Sequence, residues 1–172
     1  TLDEMQQMTE EVLAFVRQEA MKEDLRKTDL SALTESLCDD YSDEGRDVSF
    51  TGGAPVVLEL RPDTLRRVIR NLTNNALAYA GSAVLSIEAD PDIVQVHVDD
   101  TGPGIPGDMI DRVFEPFMRL EKSRHRDTGG IGLGLAISRS LMRKMGGDIV
   151  LRNRPEGGLR ATVSLPRSDR SG

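Results

Sequence analysis

The helix written into Leu65 to Ala80 constrains the fold more than any other stretch. Leu65, Val68, Ile69, Leu72, Ala76 and Tyr79 recur at helical spacing and mark one apolar face. Pro62 and Asp63 supply a start signal, and Gly81 sits where a left-handed C-cap is wanted. Arg67, Asn71, Asn74, Asn75 and Ala78 fall on another face. Asparagine is a mediocre helix former because its side chain competes for the backbone, so three of them within five positions ask for a reason. Asn71 and Asn75 are one turn apart, and their amides project side by side. By itself the pattern fits a solvated outer face equally well.

The 172 residues suit one ordinary domain with an appendage. Aromatics make up only 3% and Trp is absent, so the core of this soluble globular chain rests on Leu, Val, Ile and Met. A net charge of −7 argues against non-specific nucleic-acid binding. Cys38 stands alone in an apolar-periodic stretch, which excludes an intrachain disulfide and reads as a small core residue. No apolar run reaches membrane-spanning length and no signal peptide is present. The start at Thr1, without Met, is expected of a fragment of something longer.

Thr1 to about Lys27 reads as one helix whose Leu2, Met5, Thr9, Val12 and Val16 form a 3-4-3-4 seam, suited to a coiled coil or helical bundle. Thr28-Asp29 restarts a helix through Leu30, Leu33 and Leu37 that fades in the acidic turn Asp39 to Gly45. Val48 to Phe50 and Val56 to Leu60 read as strands. Beyond the asparagine helix, Ala83 to Ala89 and Ile93 to Asp99 alternate as a hairpin, with Val94, Val96 and Val98 on one face and His97 on the other, a strand residue with no chemistry. A long irregular tract from Thr101 to Gly130 is too long for a routine connection and is functional or disordered. Gly132 to Met145 reads as a helix, and Asp148 to Asn153 with Leu159 to Leu165 as a closing hairpin. Helices mixed with antiparallel strands indicate an α+β fold, a two-layer α/β sandwich with an N-terminal bundle helix. The expected division is residues 1–27 for that helix and 28–172 for the domain.

Two glycine runs carry the chemistry. Asp100-Thr101-Gly102-Pro103-Gly104-Ile105 follows a strand, where glycines let backbone approach a ligand and an aspartate can accept from an amino group. Gly129 to Leu135 opens a helix, and a glycine-rich helix N-terminus offers free N–H groups to an anion or phosphate. The spacing is close to GxGxxG, but no βαβ unit surrounds it, which disfavours a dinucleotide-binding reading. Between the runs lie Arg119, Lys122, Arg124, His125 and Arg126, a basic cluster suited to clamping negative charge.

Together these stretches resemble the catalytic ATP-binding domain of the sensor histidine kinases of two-component systems, in the gyrase–Hsp90–histidine kinase–mismatch-repair ATPase superfamily. Asn71 to Ala76 resembles the N box, Asp100 to Gly104 the first glycine box, Val113 to Phe117 the F box and Gly130 to Leu135 the second glycine box, in the family's order from about Asp29 to Pro166. The resemblance implies a Bergerat-type fold and ATP and Mg²⁺ as cofactors. It implies that Asn75 coordinates the Mg²⁺ with Asn71 beside it, and that Asp100 accepts from the adenine amino group. Gly102, Gly104 and Ile105 would lie against the purine, Tyr79 along the nucleotide, and Gly130, Gly132, Leu133, Gly134 and Leu135 at the phosphates. Arg119 and Arg124 would reach the phosphates from a lid over Met109 to Gly129. Asn71, Arg119 and Arg124 are the implied catalytic residues. Many relatives have Lys or Arg before the tyrosine; here Ala78 stands there, which assigns more of the phosphate contact to the lid arginines.

The resemblance also implies that Thr1 to Lys27 is the second helix of a dimerisation and phosphotransfer hairpin, whose first helix carries the acceptor histidine. Expected partners are that acceptor helix, a second copy through the bundle helix, and a response-regulator receiver domain. The expected setting is a cytoplasmic domain of a parent attached to the inner or plasma membrane of a bacterium. A superfamily ATPase acting as clamp or chaperone would carry glutamate at the position of Asn71. An anti-sigma-factor-type serine kinase would lack the bundle helix, and a nucleotide-sensing module would bind without turnover.

Overall fold

A computed structural model describes residues 1–53, 55–116 and 134–167. The elements run α1 (Leu2–Met21), β1 (Arg26–Asp29), α2 (Leu30–Asp43), β2 (Asp47–Phe50), β3 (Val57–Leu60), α3 (Pro62–Ala80), β4 (Ser82–Ala89), β5 (Ile93–Asp99), a 3-10 turn (Arg112–Phe114), α4 (Gly134–Lys144), β6 (Asp148–Asn153) and β7 (Leu159–Pro166). Five strands form one sheet in the order β2-β4-β5-β7-β6, parallel only between β2 and β4. β1 and β3 form a separate antiparallel pair. Helices α2, α3 and α4 pack on the sheet, so the fold is the expected α+β sandwich.

The alternation legible in the strands sets the core. Val94, Val96 and Val98 of β5 are almost wholly buried, as are Leu85 of β4, Val163 of β7 and Ile149 of β6. From the helices come Leu65, Val68, Ile69 and Leu72 of α3, Leu30 and Leu37 of α2, and Leu141 and Met142 of α4. Each such side chain contributes about 1.5–3 kcal/mol by leaving water. Helix α3 ends on Gly81 in the left-handed conformation, its N–H bonded to the Leu77 carbonyl.

The first helix stops at Met21, six residues before the expected Lys27. Glu23 explains the exit: its carboxylate accepts from the Asp63 and Thr64 N–H groups, and its carbonyl accepts from Arg61 Nε. The chain then continues as β1, with Arg26 to Asp29 paired to Leu60 to Val57. The second helix begins at Leu30 rather than Thr28, because Asp29 is its N-cap and accepts from the Ala32 N–H at 3.1 Å. It runs to Asp43 instead of fading at Asp39, because Tyr41 extends the Leu30, Leu33, Leu37 stripe and is itself buried. The Tyr41 hydroxyl donates to Asn74 Oδ1 at 2.6 Å, which accounts for the third asparagine of α3 as a structural partner.

On α1, Thr9 and Leu13 are buried, and Arg17 Nη1 donates to Ser140 Oγ of α4 at 2.7 Å. Leu2, Met5, Met8, Val12 and Phe15 are exposed. Among the described residues no helix is long and apolar enough to cross a membrane.

Candidate functional site

The two asparagines of interest sit where α3 meets α4. Both are half-buried. Asn71 Nδ2 donates to Ser138 Oγ at 3.0 Å, and Ser138 is fully buried on α4. That bond fixes the Asn71 amide with its carbonyl oxygen left as an acceptor. Asn75, one turn on, makes no side-chain hydrogen bond among the described residues. Tyr79 is half-buried another turn along, and Ala78 is exposed. Gly134 is exposed at the first position of α4, and Leu135 packs partly against the core.

Asp100 lies just beyond β5 and is buried. Its Oδ1 accepts from the Gly102 N–H at 2.9 Å and the Leu159 N–H at 3.1 Å. Its backbone N–H donates to the Leu159 carbonyl at 3.0 Å. No donor among the described residues meets Oδ2, which leaves that oxygen as an acceptor for an amino group. Gly102 is crowded: a Cβ there would lie 3.2 Å from the Tyr79 carbonyl and 3.2 Å from the Ala80 Cβ. Gly104 has φ +75°, and Ile105 beyond it is buried. The asparagine helix and the first glycine turn are thus in direct contact through Tyr79, Ala80 and Gly102.

The start of the expected lid is anchored. Val113 and Phe114 are buried in the 3-10 turn, and the Arg139 guanidinium of α4 stacks 4.2 Å over the Phe114 ring. Arg139 also donates to Asp148 at 3.3 Å, beside Arg143 at 3.1 Å. Arg119, Arg124, Gly130, Gly132 and Leu133, with the rest of the basic cluster, lie outside the described residues.

Four contributors escaped the sequence reading: Ser138, Asn153, Arg154 and Gly158. Asn153 pairs with both backbone groups of Ile105, and Arg154 Nη1 donates to the Asp100 carbonyl at 2.7 Å. Gly158 has φ +92°, and a Cβ there would run into the Asp100 carbonyl oxygen. The Gly157-Gly158 pair reads as a turn in the sequence; the doubling of glycine was the only hint of a close approach.

A model of the family described as Histidine kinase-, DNA gyrase B-, and HSP90-like ATPase matches residues 60–169. The chain belongs to that ATPase family. It is 39% identical over 166 residues to the sensor histidine kinase GtrS of Pseudomonas aeruginosa, a match covering 96% of this chain and 34% of GtrS. This ATPase-family chain therefore spans about a third of that curated relative. The ATP binding domain of PrrB from Mycobacterium tuberculosis is similar at a TM-score of 0.70 and 27% identity, over 85% of this chain and 99% of that one. Full-length ShkA, solved in complex with AMPPNP, is similar at 0.71 and 25% identity, over 83% of this chain and 31% of that one.

The donor set fits a magnesium ion carried in with phosphates. Magnesium prefers hard oxygens, keeps several waters, and takes few protein ligands when phosphates supply the rest. Among the described residues no cluster of three or more His, Cys, Asp or Glu offers an all-protein cage. The amide oxygens of Asn71 and Asn75 are two hard oxygens one turn apart on α3.

Proposed function

We propose that the chain is the ATP-binding catalytic domain of a sensor histidine kinase, which transfers the γ-phosphoryl group of ATP to a histidine on a separate dimerisation helix. From there a receiver-domain aspartate takes it. The observation that carries this reading is the junction of α3 and α4: Asn71, bonded to Ser138, stands one turn from Asn75 and beside the helix that Gly134 opens. The family membership and the AMPPNP complex of full-length ShkA support nucleotide binding by the chain.

In this reading Asp100 Oδ2 accepts from the adenine amino group while Oδ1 stays tied to backbone. Gly102, Gly104 and Ile105 present backbone to the purine, and Tyr79 lies along the nucleotide. Asn75, with Asn71 beside it, holds the ion; bound magnesium supplies charge neutralisation to the phosphates. Gly130, Gly132, Leu133, Gly134 and Leu135 offer N–H groups to the phosphates, and Arg119 and Arg124 close over them. Phosphoryl transfer asks for positioning and charge neutralisation more than for a protein nucleophile, so Asn, Gly and Arg suffice on this side. An amide at position 71 cannot take a proton from water, which favours transfer over hydrolysis. The exposed Leu2, Met5, Met8, Val12 and Phe15 of α1 support a bundle helix that pairs with the acceptor helix and a second copy. The reading carries with it a cytoplasmic location and a bacterial, membrane-attached parent.

The test uses radiolabelled ATP. Alone, the chain should bind Mg·ATP, hydrolyse it negligibly and remain unlabelled. With an acceptor hairpin supplied, label should appear on the hairpin's histidine, acid-labile and base-stable. Label on His125, or on any Ser or Thr of this chain, or rapid phosphate release, overturns the reading.

A further inference from the structure

The β6–β7 turn does more than close the sheet. Asn153, at the end of β6, faces Ile105 with its whole amide: the Ile105 N–H donates to Oδ1 at 2.8 Å, and Nδ2 donates to the Ile105 carbonyl at 2.6 Å. A side chain thereby supplies the pair of bonds that a neighbouring strand supplies in a ladder. Arg154 follows, with Nη1 on the Asp100 carbonyl at 2.7 Å and Nη2 on Glu156 Oε1 at 2.8 Å. Its own N–H donates to the Gly158 carbonyl at 2.8 Å. Leu159 completes the grip on Asp100 with its N–H and carbonyl. One hairpin turn thus holds both ends of the glycine turn, Asp100 at one end and Ile105 at the other.

This grip also bears on Gly104. A Cβ there would lie 2.5 Å from Asn153 Oδ1, and φ is +75°. Glycine at 104 thus suits both the left-handed backbone and the Asn153 clasp, independently of any ligand. The residues between the two clasped ends are those that would lie against a purine, so their placement depends on a side chain 48 positions away.

We propose that Asn153 and Arg154 are positioning residues for base recognition, holding the turn from Asp100 to Ile105 in the one shape that leaves Asp100 Oδ2 aimed at an adenine amino group. The proposal rests on the reading of Asp100 given above. Neither residue touches the nucleotide; both act through backbone.

Asn153→Asp tests it at minimal change of shape. The Oδ1 acceptor is kept, while the Nδ2 donor is replaced by an anionic oxygen facing the Ile105 carbonyl. Calorimetry with Mg·ATP and Mg·GTP on the whole chain should show ATP binding weakened about threefold to tenfold, the scale of one lost hydrogen bond. GTP binding should change less, so the ATP:GTP ratio falls. Arg154→Lys should partly preserve the ratio and Arg154→Ala should not, a graded rescue that a purely structural role would not give. An unchanged ratio in Asn153→Asp, with or without a lower melting temperature, overturns the proposal. Should Asn153→Asp not fold, the wild-type Asn153 side-chain amide resonances decide: they should shift on adding Mg·ATP and stay put with Mg·GTP, and no shift with ATP overturns the proposal equally. Wild-type chain that binds both nucleotides alike would instead sink the reading of Asp100.

Discussion

Replacing Glu23 should loosen the joint between the first helix and the asparagine helix. Helix α3 starts behind Arg61, whose side chain gives no cap. Glu23 caps it from a distance: Oε2 accepts from the Asp63 N–H at 2.7 Å, and Oε1 accepts from the Thr64 N–H at 2.9 Å and the Thr64 hydroxyl at 2.7 Å. Losing an N-cap costs about 0.5–2 kcal/mol, and losing a negative charge at a helix N-terminus about 0.3–1 kcal/mol more. For Glu23→Ala the central expectation is about 2 kcal/mol, which for a chain of this size lowers the melting temperature by roughly 4–8 °C. Glu23→Gln keeps one acceptor and should lose about half as much. The pH dependence has a definite sign. Partial burial pushes the Glu23 carboxyl up, but bonds from the Thr64 side chain and the Asp63 and Thr64 amides, with the Arg26 charge, outweigh it and hold the carboxyl below its ordinary 4.5. A lowered native pKa means that the unfolded chain takes up the proton first as pH falls. The stabilisation is therefore full above pH 4.5 and is lost as pH falls through the lowered native value. Melting curves of wild type and Glu23→Gln should differ at pH 7 and converge towards pH 3. Equal melting temperatures at pH 7, with unchanged amide exchange at Asp63 and Thr64, would refute the cap.

Asn75→Ala should leave the unfolding free energy within about 1 kcal/mol of wild type, as for a half-buried side chain outside any network, while sharply weakening Mg-dependent ATP binding; unchanged calorimetric affinity removes Asn75 from the site. Cys38 should be inert in the native chain, since burial, with Asp39 and Glu35 adding to it, pushes its thiol up to about 11. Thiol reagents at pH 8 should label it only in denaturant. Because the unfolded thiol ionises first, its contribution to stability should decline as pH rises above about 9, visible as a loss in wild type that Cys38→Ala lacks.

What the sequence conveyed depended on distance along the chain. The burial of Leu65, Val68, Ile69, Leu72 and Ala76 was legible because one helical period carries it, and the β4–β5 and β6–β7 hairpins were legible because each pairs neighbours. The end of α1 was not, since it is decided by a carboxylate reaching a helix 40 residues on. Tyr41 was missed for the same reason, its hydroxyl being satisfied by Asn74, 33 residues away. Asn71, Asp100 and Gly104 stood out because the residue types are unusual for their elements. Ser138, Asn153 and Arg154 are ordinary where they stand, and only the tertiary contacts give them roles: Ser138 to Asn71 across 67 positions, and Arg154 to Asp100 across 54.

The two faces of the sheet separate the charges of the site from those of the scaffold. Asp99 and Asp100 are adjacent, and adjacent residues at a strand end point to opposite sides. Asp99 takes the outer side and is closed by Arg160 in a bidentate pair, at 2.7 and 2.8 Å. Asp100 takes the other side and keeps one oxygen for the glycine turn and the hairpin backbone. His97 follows Asp99 outward: its ring nitrogens meet Thr162 Oγ1 at 2.8 Å and Glu88 Oε1 at 3.0 Å, while Val96 and Val98 beside it are buried on the side where the helices pack. For His97 to attack a phosphate held at α3 and α4 it would have to give up both partners and pass through its own sheet. If Asp100 reads a base as proposed, the same strand alternation that supplies the acceptor withholds His97 from the phosphates. A nucleotide held at α3 and α4 is thus out of reach of His97, which is in keeping with the proposed transfer to a histidine on a separate helix.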